Sequence, residues 1–245
     1  MADNANKRLT VGVLGGMGPQ ATVDFVQEIV RRTPAAGDAD HIRILVDCNP
    51  GVPDRQAARR GDDQPVRDAL TEMALGLQAQ GADFLVMPCN TAHAFIADAR
   101  AAASIPFVSI IDVTVEAARH GHPSGRIGVL ATDACVDAEL YQRAALRAGL
   151  TTIVPPTASQ ASCMRLIAEV KAGNTGDAAR GEMRQLAGEL VQLGADVLVA
   201  GCTEIPLLVQ GDVAGVTLLS STGELAQRTV DLALGRQPLP IRTTH

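Results

Sequence analysis

Short apolar segments rich in β-branched residues alternate along the chain with longer segments in which apolar residues recur every three to four positions. Such alternation is typical of parallel β-sheets whose strands are joined by covering helices, and it predicts an α/β protein. Strands are predicted at Leu9–Leu14, Ile42–Asp47, Phe84–Met87, Phe107–Ile111, Ile127–Leu130, Thr152–Val154, Val197–Ala200 and Val216–Leu219. Covering helices are predicted at Ala21–Arg32, Val66–Gln80, Glu139–Ala148 and Arg180–Leu193.

The chain also resembles itself. Residues 77–91, LQAQGADFLVMPCNT, align without a gap on residues 190–204, LVQLGADVLVAGCTE, which places Cys89 on Cys202. In both segments the cysteine follows a predicted buried strand and precedes the next helix. This carboxyl edge is where parallel α/β sheets bind their ligands, so we expect each cysteine to lie at a binding edge.

A second match extends the repeat, because VGVLGG at residues 11–16 falls on IGVLAT at residues 127–132. Two related halves follow from these matches. The segment His120–Gly125, which contains proline and glycine, marks the start of the second half. The final strand and helix are expected to pack back on the first half. We therefore predict two pseudo-symmetric, Rossmann-like domains with parallel sheets flanked by helices, residues 1–119 with 215–245 and residues 120–214.

Composition narrows the class of partner. The chain of 245 residues is 47% apolar and 20% charged, as in an ordinary soluble globular protein. Its formal net charge is −6 and no run of basic residues occurs, so we expect no nucleic-acid partner. The segment Met1–Thr10 is polar and glycine soon interrupts the first apolar run, so we predict a cytoplasmic protein with no signal peptide and no membrane partner.

The cysteines suggest chemistry. They are odd in number, which favours free thiols over a disulfide framework: Cys48, Cys89, Cys135, Cys163 and Cys202. A cysteine after an apolar strand is commonly an inert core residue. Repetition favours a functional reading of Cys89 and Cys202, as do the polar residues that follow them. If the halves face each other, two thiols approach one cleft from opposite sides, as a two-base racemase requires.

The pKa of a free thiol, about 8.5, is lowered by a helix N-terminus or a nearby cation. We therefore expect one thiolate and one thiol at rest. No lysine lies in an evident pyridoxal phosphate motif, and no His, Cys and carboxylate spacing indicates a metal site. His93, four residues after Cys89, either adjusts that thiol or simply packs.

Three further segments each allow a functional and a purely structural interpretation. The turn Gly15–Pro19 offers backbone N–H groups to a carboxylate or phosphate, or is only a tight turn; it lacks the dinucleotide and P-loop patterns. The segment Cys48–Arg55 is predicted to be a loop, whose Arg55 either grips a carboxylate or lies in solvent. Lys171 either recognises substrate or merely ends a helix before the stop signal at Gly173.

The motifs GGMGPQAT, NPGVPDR, MPCNTAH, VLAT and GCTEIPLL, in that order across essentially the whole chain, resemble the aspartate/glutamate racemase family. The resemblance implies two α/β domains with the active site in the interdomain cleft, and a cofactor-independent racemase in which Cys89 and Cys202 are the acid and base. It implies that the substrate's α-carboxylate and amino group are held by Met17 in the glycine turn, Asn90, Thr91, Thr132 and Thr203. An arginine and a lysine at the positions of Arg55 and Lys171 bind the side-chain carboxylate in the family's aspartate racemases.

Two departures from the family pattern bear on substrate preference: Cys135 stands in place of a usual threonine and Ser220 in place of a common aspartate. A third thiol near the expected cleft is either a harmless isostere or a site of oxidation. We expect a homodimer that acts on a small amino acid, aspartate above glutamate. The alternatives are a non-catalytic amino-acid sensor and the decarboxylases and cis–trans isomerases that resemble this family but keep one cysteine.

Overall fold

The computed structural model describes residues 8–240; the predicted domain residues 1–7 and 241–245 lie outside this range. The first half contains β1 (Val11–Gly15), α1 (Pro19–Arg32), β2 (Ile44–Cys48), α2 (Arg55–Arg60), α3 (Gln64–Ala79), β3 (Phe84–Val86), α4 (Ala97–Ala102), β4 (Phe107–Val108) and α5 (Ile110–Gly121). The second half contains β5 (Arg126–Leu130), α6 (Asp133–Asp137), α7 (Leu140–Arg147), β6 (Thr151–Ile153), α8 (Thr157–Lys171), α9 (Asp177–Gln192), β7 (Val197–Ala200), β8 (Leu218–Ser220) and α10 (Ser221–Ala233). Short 3-10 helices lie at Asp38–Asp40, Thr91–Phe95 and Ile205–Leu207.

The strands form two parallel sheets of four strands, in the order β2-β1-β3-β4 and β6-β5-β7-β8. The predicted α/β class with two equivalent parallel sheets is therefore confirmed. The central strands β1, β3 and β7 are buried along their whole length, which explains why they are continuous apolar runs in the sequence. In the first sheet α3 packs on β1, and its counterpart α9 packs on β5 in the second.

One local structure, which we call the aspartate clip, explains why the two halves of the chain have the same spacing in this segment. Gly81 ends α3 in a left-handed conformation with φ 96°, and the Ala82 N–H donates to the Leu77 carbonyl at 3.1 Å. The Asp83 N–H then donates to the Thr10 carbonyl at 2.8 Å, while Asp83 Oδ2 accepts from the Thr10 N–H at 2.7 Å. The clip fixes the start of β3 against the start of β1.

The second half repeats the clip almost without change. Gly194 has φ 94°, and the Ala195 N–H donates to the Leu190 carbonyl at 3.0 Å. The Asp196 N–H donates to the Arg126 carbonyl at 2.9 Å, and Asp196 Oδ2 accepts from the Arg126 N–H at 2.7 Å. The internal match seen in the sequence is thus a repeated piece of tertiary structure.

By its internal contacts the described chain divides into two compact units, residues 8–110 with 225–240 and residues 111–224. The sequence placed these boundaries at 119/120 and 214/215. The prediction that the final strand packs on the first half is wrong. Leu218 and Leu219 of β8 pair with Leu198 and Val199 of β7 in the second sheet.

The apolar run at residues 107–111 was predicted as one strand, and this is wrong in its second part. The strand ends at Val108 and α5 begins at Ile110. A short apolar run fits a buried strand and a buried helix equally well, so its period could not separate them. None of the described helices is long and apolar enough to cross a lipid bilayer.

One position in β1 and the equivalent position in β5 require glycine, because the neighbouring strand and the helix before it approach closely. A Cβ at Gly12 would lie 2.8 Å from Leu85 Cδ2 and 2.9 Å from Ala82 Cβ. At the equivalent Gly128 it would lie 2.7 Å from Leu198 Cδ2 and 2.8 Å from Ala195 Cβ.

Replacing Gly128 by alanine should lower the free energy of unfolding by about 1–3 kcal/mol, because the new methyl group overfills the space at the aspartate clip. Urea unfolding followed by circular dichroism measures the change. The matched control is Gly188→Ala inside α9, where a Cβ meets no atom within 4 Å. That variant should be unchanged or more stable by about 0.5–1 kcal/mol. Equal stability of the two variants would refute the close approach.

Candidate active site

In the first unit the predicted site residues lie at the carboxyl edge of the sheet, where β1 and β3 end side by side. The turn after β1 needs glycine: Gly16 has φ 91°, and a Cβ there would collide with the backbone of Asn49. The Gly16 N–H donates to Thr22 Oγ1 at 2.8 Å. Met17 is buried in the same apolar cluster as Cys89, so its side chain is a core group.

Cys89 lies in the segment that follows β3. Its N–H donates to the Met87 carbonyl at 2.8 Å, and the 3-10 helix Thr91–Phe95 begins two residues later. Cys89 is 6% exposed, and its polar neighbours Asn90 and Thr91 are buried with it. Asparagine and threonine are mostly exposed in proteins, so two of them buried beside a thiol at a strand end support a functional interpretation of this segment.

His93 packs beneath this segment as a structural residue. Its Nε2 accepts a hydrogen bond from the Ile110 N–H at 3.2 Å, so the ring proton lies on Nδ1. Nδ1 donates to the Cys89 carbonyl at 2.8 Å. The imidazole therefore positions the backbone of Cys89, and of the two readings of His93 the structure favours packing.

Arg55 lies on α2, which packs against the Thr91–Phe95 helix. The prediction that Cys48–Arg55 is a loop is wrong at each end, because Cys48 is the last residue of β2. Asp54 caps α2 by accepting from the Ala57 N–H at 2.7 Å, and Arg55 is the first helical residue. The Arg55 guanidinium donates through one nitrogen to the carbonyls of Val52 and Pro53, at 3.0 and 2.9 Å.

In the second unit Cys202 follows β7 as Cys89 follows β3, and it is also 6% exposed. Its S–H donates to Glu204 Oε2 at 2.9 Å, and the Thr203 hydroxyl donates to the same oxygen at 3.0 Å. Burial, followed by the charge of Glu204, raises the pKa of the Cys202 thiol well above its ordinary value. The group hydrogen-bonded to the Cys202 thiol is thus a carboxylate and not a cation that would lower its pKa, which fits the thiol member of the expected thiol and thiolate pair.

Lys171 and Thr132 also lie at this edge. Lys171 ends α8, as predicted, before Gly173 with φ 92°, and its Nζ lies 4.0 Å from Glu204 Oε1. Thr132 follows β5 and caps α6: its Oγ1 accepts from the Cys135 N–H at 3.4 Å. The structure thus brings Lys171, through Glu204, to the thiol of Cys202.

Tyr141, the only tyrosine of the chain, was missed by the sequence interpretation. It is fully buried on α7, and hydrogen bonds join it to Thr114 and Ser221. Its ring packs where a Cβ at Gly201 would lie 2.8 Å from Tyr141 Cε2, directly before Cys202. Burial raises the pKa of the phenol, which stays neutral. A single aromatic hydroxyl on an apolar helix face was the available signal.

Other features of the described residues lie apart from these groups. No cluster of His, Cys, Asp or Glu within residues 8–240 has the arrangement of a metal site. A surface depression of about 580 Å³ is lined by Arg180, Gly181, Arg184, Leu207, Leu208 and Gln210. None of the predicted site residues lines it.

Known proteins share this architecture over nearly the whole chain. The family model for Asp/Glu/hydantoin racemases matches residues 14–229. The broad specificity amino-acid racemase RacX of Bacillus subtilis is 26% identical over 231 residues, 93% of this chain and 99% of that protein. A glutamate racemase of Mycobacterium ulcerans is 35% identical over 177 residues, covering 68% of this chain and 63% of that protein.

A solved structure agrees with the sequence matches. The aspartate racemase of Picrophilus torridus superposes with a TM-score of 0.81 at 27% identity, covering 95% of this chain and 96% of that one. The match of the family model across both units, together with this likeness of fold, leads to one conclusion. The chain belongs to the Asp/Glu/hydantoin racemase family and is a racemase.

Proposed function

We propose that this racemase inverts an amino acid at Cα by two-base proton transfer between Cys89 and Cys202, without pyridoxal phosphate. The observation that carries the proposal is the equivalent placement of the two thiols. Each follows the strand that an aspartate clip fixes, at the carboxyl edge of its own sheet. Each is 6% exposed and is flanked by buried polar side chains. Two such groups are what inversion at a tetrahedral carbon needs.

The chemistry balances with two thiols. A thiolate takes the α-proton: an S–H bond forms, the Cα–H bond breaks, and its electron pair stays on the substrate as a carbanion. The opposite thiol then gives its proton to the other face of Cα and becomes a thiolate. We assign the α-carboxylate and amino group of the substrate to Asn90, Thr91, Thr132, Thr203 and the backbone around Met17. These groups lie at the carboxyl edges of the two sheets, as Cys89 and Cys202 do.

Replacing either catalytic cysteine by alanine should lower racemisation by about 10²- to 10⁴-fold, the usual contribution of a positioned acid or base. Polarimetry measures the rate, and circular dichroism checks the fold. The matched control is Cys48→Ala, an exposed cysteine at the end of β2, which should keep full activity. Near-normal turnover by Cys89→Ala or Cys202→Ala would remove that thiol from the mechanism.

Deuterium uptake separates the racemase from the other candidate classes. In D₂O the enzyme should incorporate deuterium at Cα of its amino-acid substrate, because protons are exchanged at that carbon. An amino-acid sensor would incorporate none, and a decarboxylase or cis–trans isomerase would act on a malonate or on maleate instead. The homodimer and cytoplasmic location stay predictions; the mass of the protein in solution tests the former.

We further propose that acidic amino acids, aspartate above glutamate, are the substrates, with Arg55 and Lys171 binding the side-chain carboxylate. Arg55 is the first residue of α2, which packs against the 3-10 helix that follows Cys89, and Lys171 Nζ lies 4.0 Å from Glu204 Oε1 at the Cys202 edge. A buried carboxylate without a cation would cost several kcal/mol. Cations that lack an anion would likewise disfavour neutral substrates. The likeness to an aspartate racemase supports this preference, while the likeness to RacX argues for a broader range.

Arg55→Ala and Lys171→Ala should each lower kcat/KM for aspartate about 10- to 100-fold more than kcat/KM for alanine, because each removes a hydrogen bond to a charged group. The ratio of the two substrates is the measurement. It cancels any effect of Lys171 on the thiol chemistry, which both substrates share. Arg60→Ala, exposed at the other end of α2, is the control and should leave the ratio unchanged. Wild-type turnover of alanine equal to that of aspartate would contradict the specificity proposal.

A further inference from the structure

The carboxylate of Glu204 joins three groups at the Cys202 edge. Its side chain is 8% exposed, and its two oxygens face different partners. Oε2 accepts from the Cys202 S–H at 2.9 Å and from the Thr203 hydroxyl at 3.0 Å. Oε1 faces Lys171 Nζ at 4.0 Å. One oxygen of Glu204 thus accepts two hydrogen bonds while the other faces an ammonium group.

This arrangement opposes removal of the Cys202 proton. Loss of that proton would place a thiolate against a buried carboxylate and would break the S–H hydrogen bond. Lys171 acts in the opposite direction, but its side chain is 47% exposed, so water screens its charge. The balance favours the thiol, in agreement with the raised pKa of Cys202.

Two further titratable groups near Cys202, Tyr141 and Cys163, add no charge. Tyr141 on α7 has a raised pKa because it is fully buried, and its phenol is neutral. Cys163 on α8 shares the apolar cluster of Cys202, and burial raises its pKa to about 12. Cys135 on α6 is buried beside Tyr141. Glu204 and Lys171 are thus the two charges that set the protonation state of Cys202.

We propose that Glu204 is a positioning residue that keeps Cys202 protonated in the resting enzyme, so that Cys202 is the first proton donor and Cys89 the first proton acceptor. This inference rests on the proposed two-cysteine function. After one turnover Cys202 is a thiolate repelled by Glu204, while Cys89 carries the proton taken from the substrate. Cys202 regains a proton from water and Cys89 releases its own to water, which restores the resting state.

The state of the thiol is measured directly by thiolate absorbance near 240 nm as a function of pH, in the absence of substrate. The difference between each protein and the same protein carrying Cys202→Ala gives the titration of Cys202 alone. In Glu204→Gln the amide oxygen still accepts the hydrogen bonds but the charge is gone. Its midpoint should fall by about one pH unit or more relative to that of the otherwise unchanged enzyme.

Cys89 is the matched control, because its side chain is equally buried and its neighbours differ. Its own difference titration, with Cys89→Ala as the reference, should shift less in Glu204→Gln than that of Cys202, because Glu204 bonds directly to Cys202. Glu204→Asp, which keeps the charge, should retain a higher Cys202 midpoint than Glu204→Gln. An unchanged Cys202 midpoint in Glu204→Gln overturns the proposal, and so does an equal shift at Cys89.

Lys171→Gln gives a second measurement from the exposed side of the cluster, in case the Glu204 variants fail to fold. Loss of the cation leaves Glu204 unopposed, so the Cys202 midpoint should rise rather than fall. A lower or unchanged midpoint would contradict the role of Glu204, since Lys171 is expected to act on the thiol through that carboxylate.

The pH dependence of racemisation gives the functional readout. A proton donor must be protonated, so activity is lost as the pH rises through its pKa. Lowering the pKa of Cys202 in Glu204→Gln should therefore move the alkaline loss of kcat/KM to lower pH. If the titration shifts but no amino acid is racemised, the proposed function fails and the assignment of Glu204 to the Cys202 proton stands. If racemisation persists with no shift in titration, the reverse holds.

Discussion

The aspartate clip is the interaction on which the rest of each unit depends. A left-handed glycine stops the helix, and an aspartate then exchanges two hydrogen bonds with a residue at the start of the neighbouring strand, Thr10 before β1 and Arg126 in β5. This pairing fixes the register of β3 against β1 and of β7 against β5. Each cysteine lies six residues after its clip aspartate, so the clip and the thiol lie at opposite ends of the same strand.

Two units built alike need not hold their thiols alike. Cys89 is followed by Asn90, and the carbonyl of Cys89 is held by the neutral ring of His93. The Cys202 S–H donates to Glu204, and the other oxygen of that carboxylate lies 4.0 Å from Lys171 Nζ. A two-base inversion requires one donor and one acceptor at any moment, and identical surroundings would leave the proton without a preferred side. Cys89 is followed by Asn90 and Thr91, whereas Cys202 is followed by Thr203 and Glu204. This small difference in sequence makes the surroundings of the two thiols unequal, although the two sheets are built alike.

Glycine has two separate duties in this fold. At Gly12 and Gly128 the missing side chain lets the first strand of each sheet approach the neighbouring strand and helix, which is a matter of volume. At Gly16 the requirement is both a left-handed backbone and contact with the backbone of Asn49. The same residue type therefore sets the packing of both sheets and shapes the turn beside Cys89.

The sequence alone determined the strand and helix pattern, the repeat and the edge positions of Cys89 and Cys202, because these follow from local periodicity and from a repeat of matched length. It could not place the start of α5, since a short apolar run has no distinguishing period. Nor could it give the direction of the pKa shift at Cys202. That direction depends on burial and on the orientation of the Glu204 carboxylate. It also depends on Lys171, which is 33 residues before Glu204 in the sequence and which only the packing of α8 brings within 4.0 Å of that carboxylate.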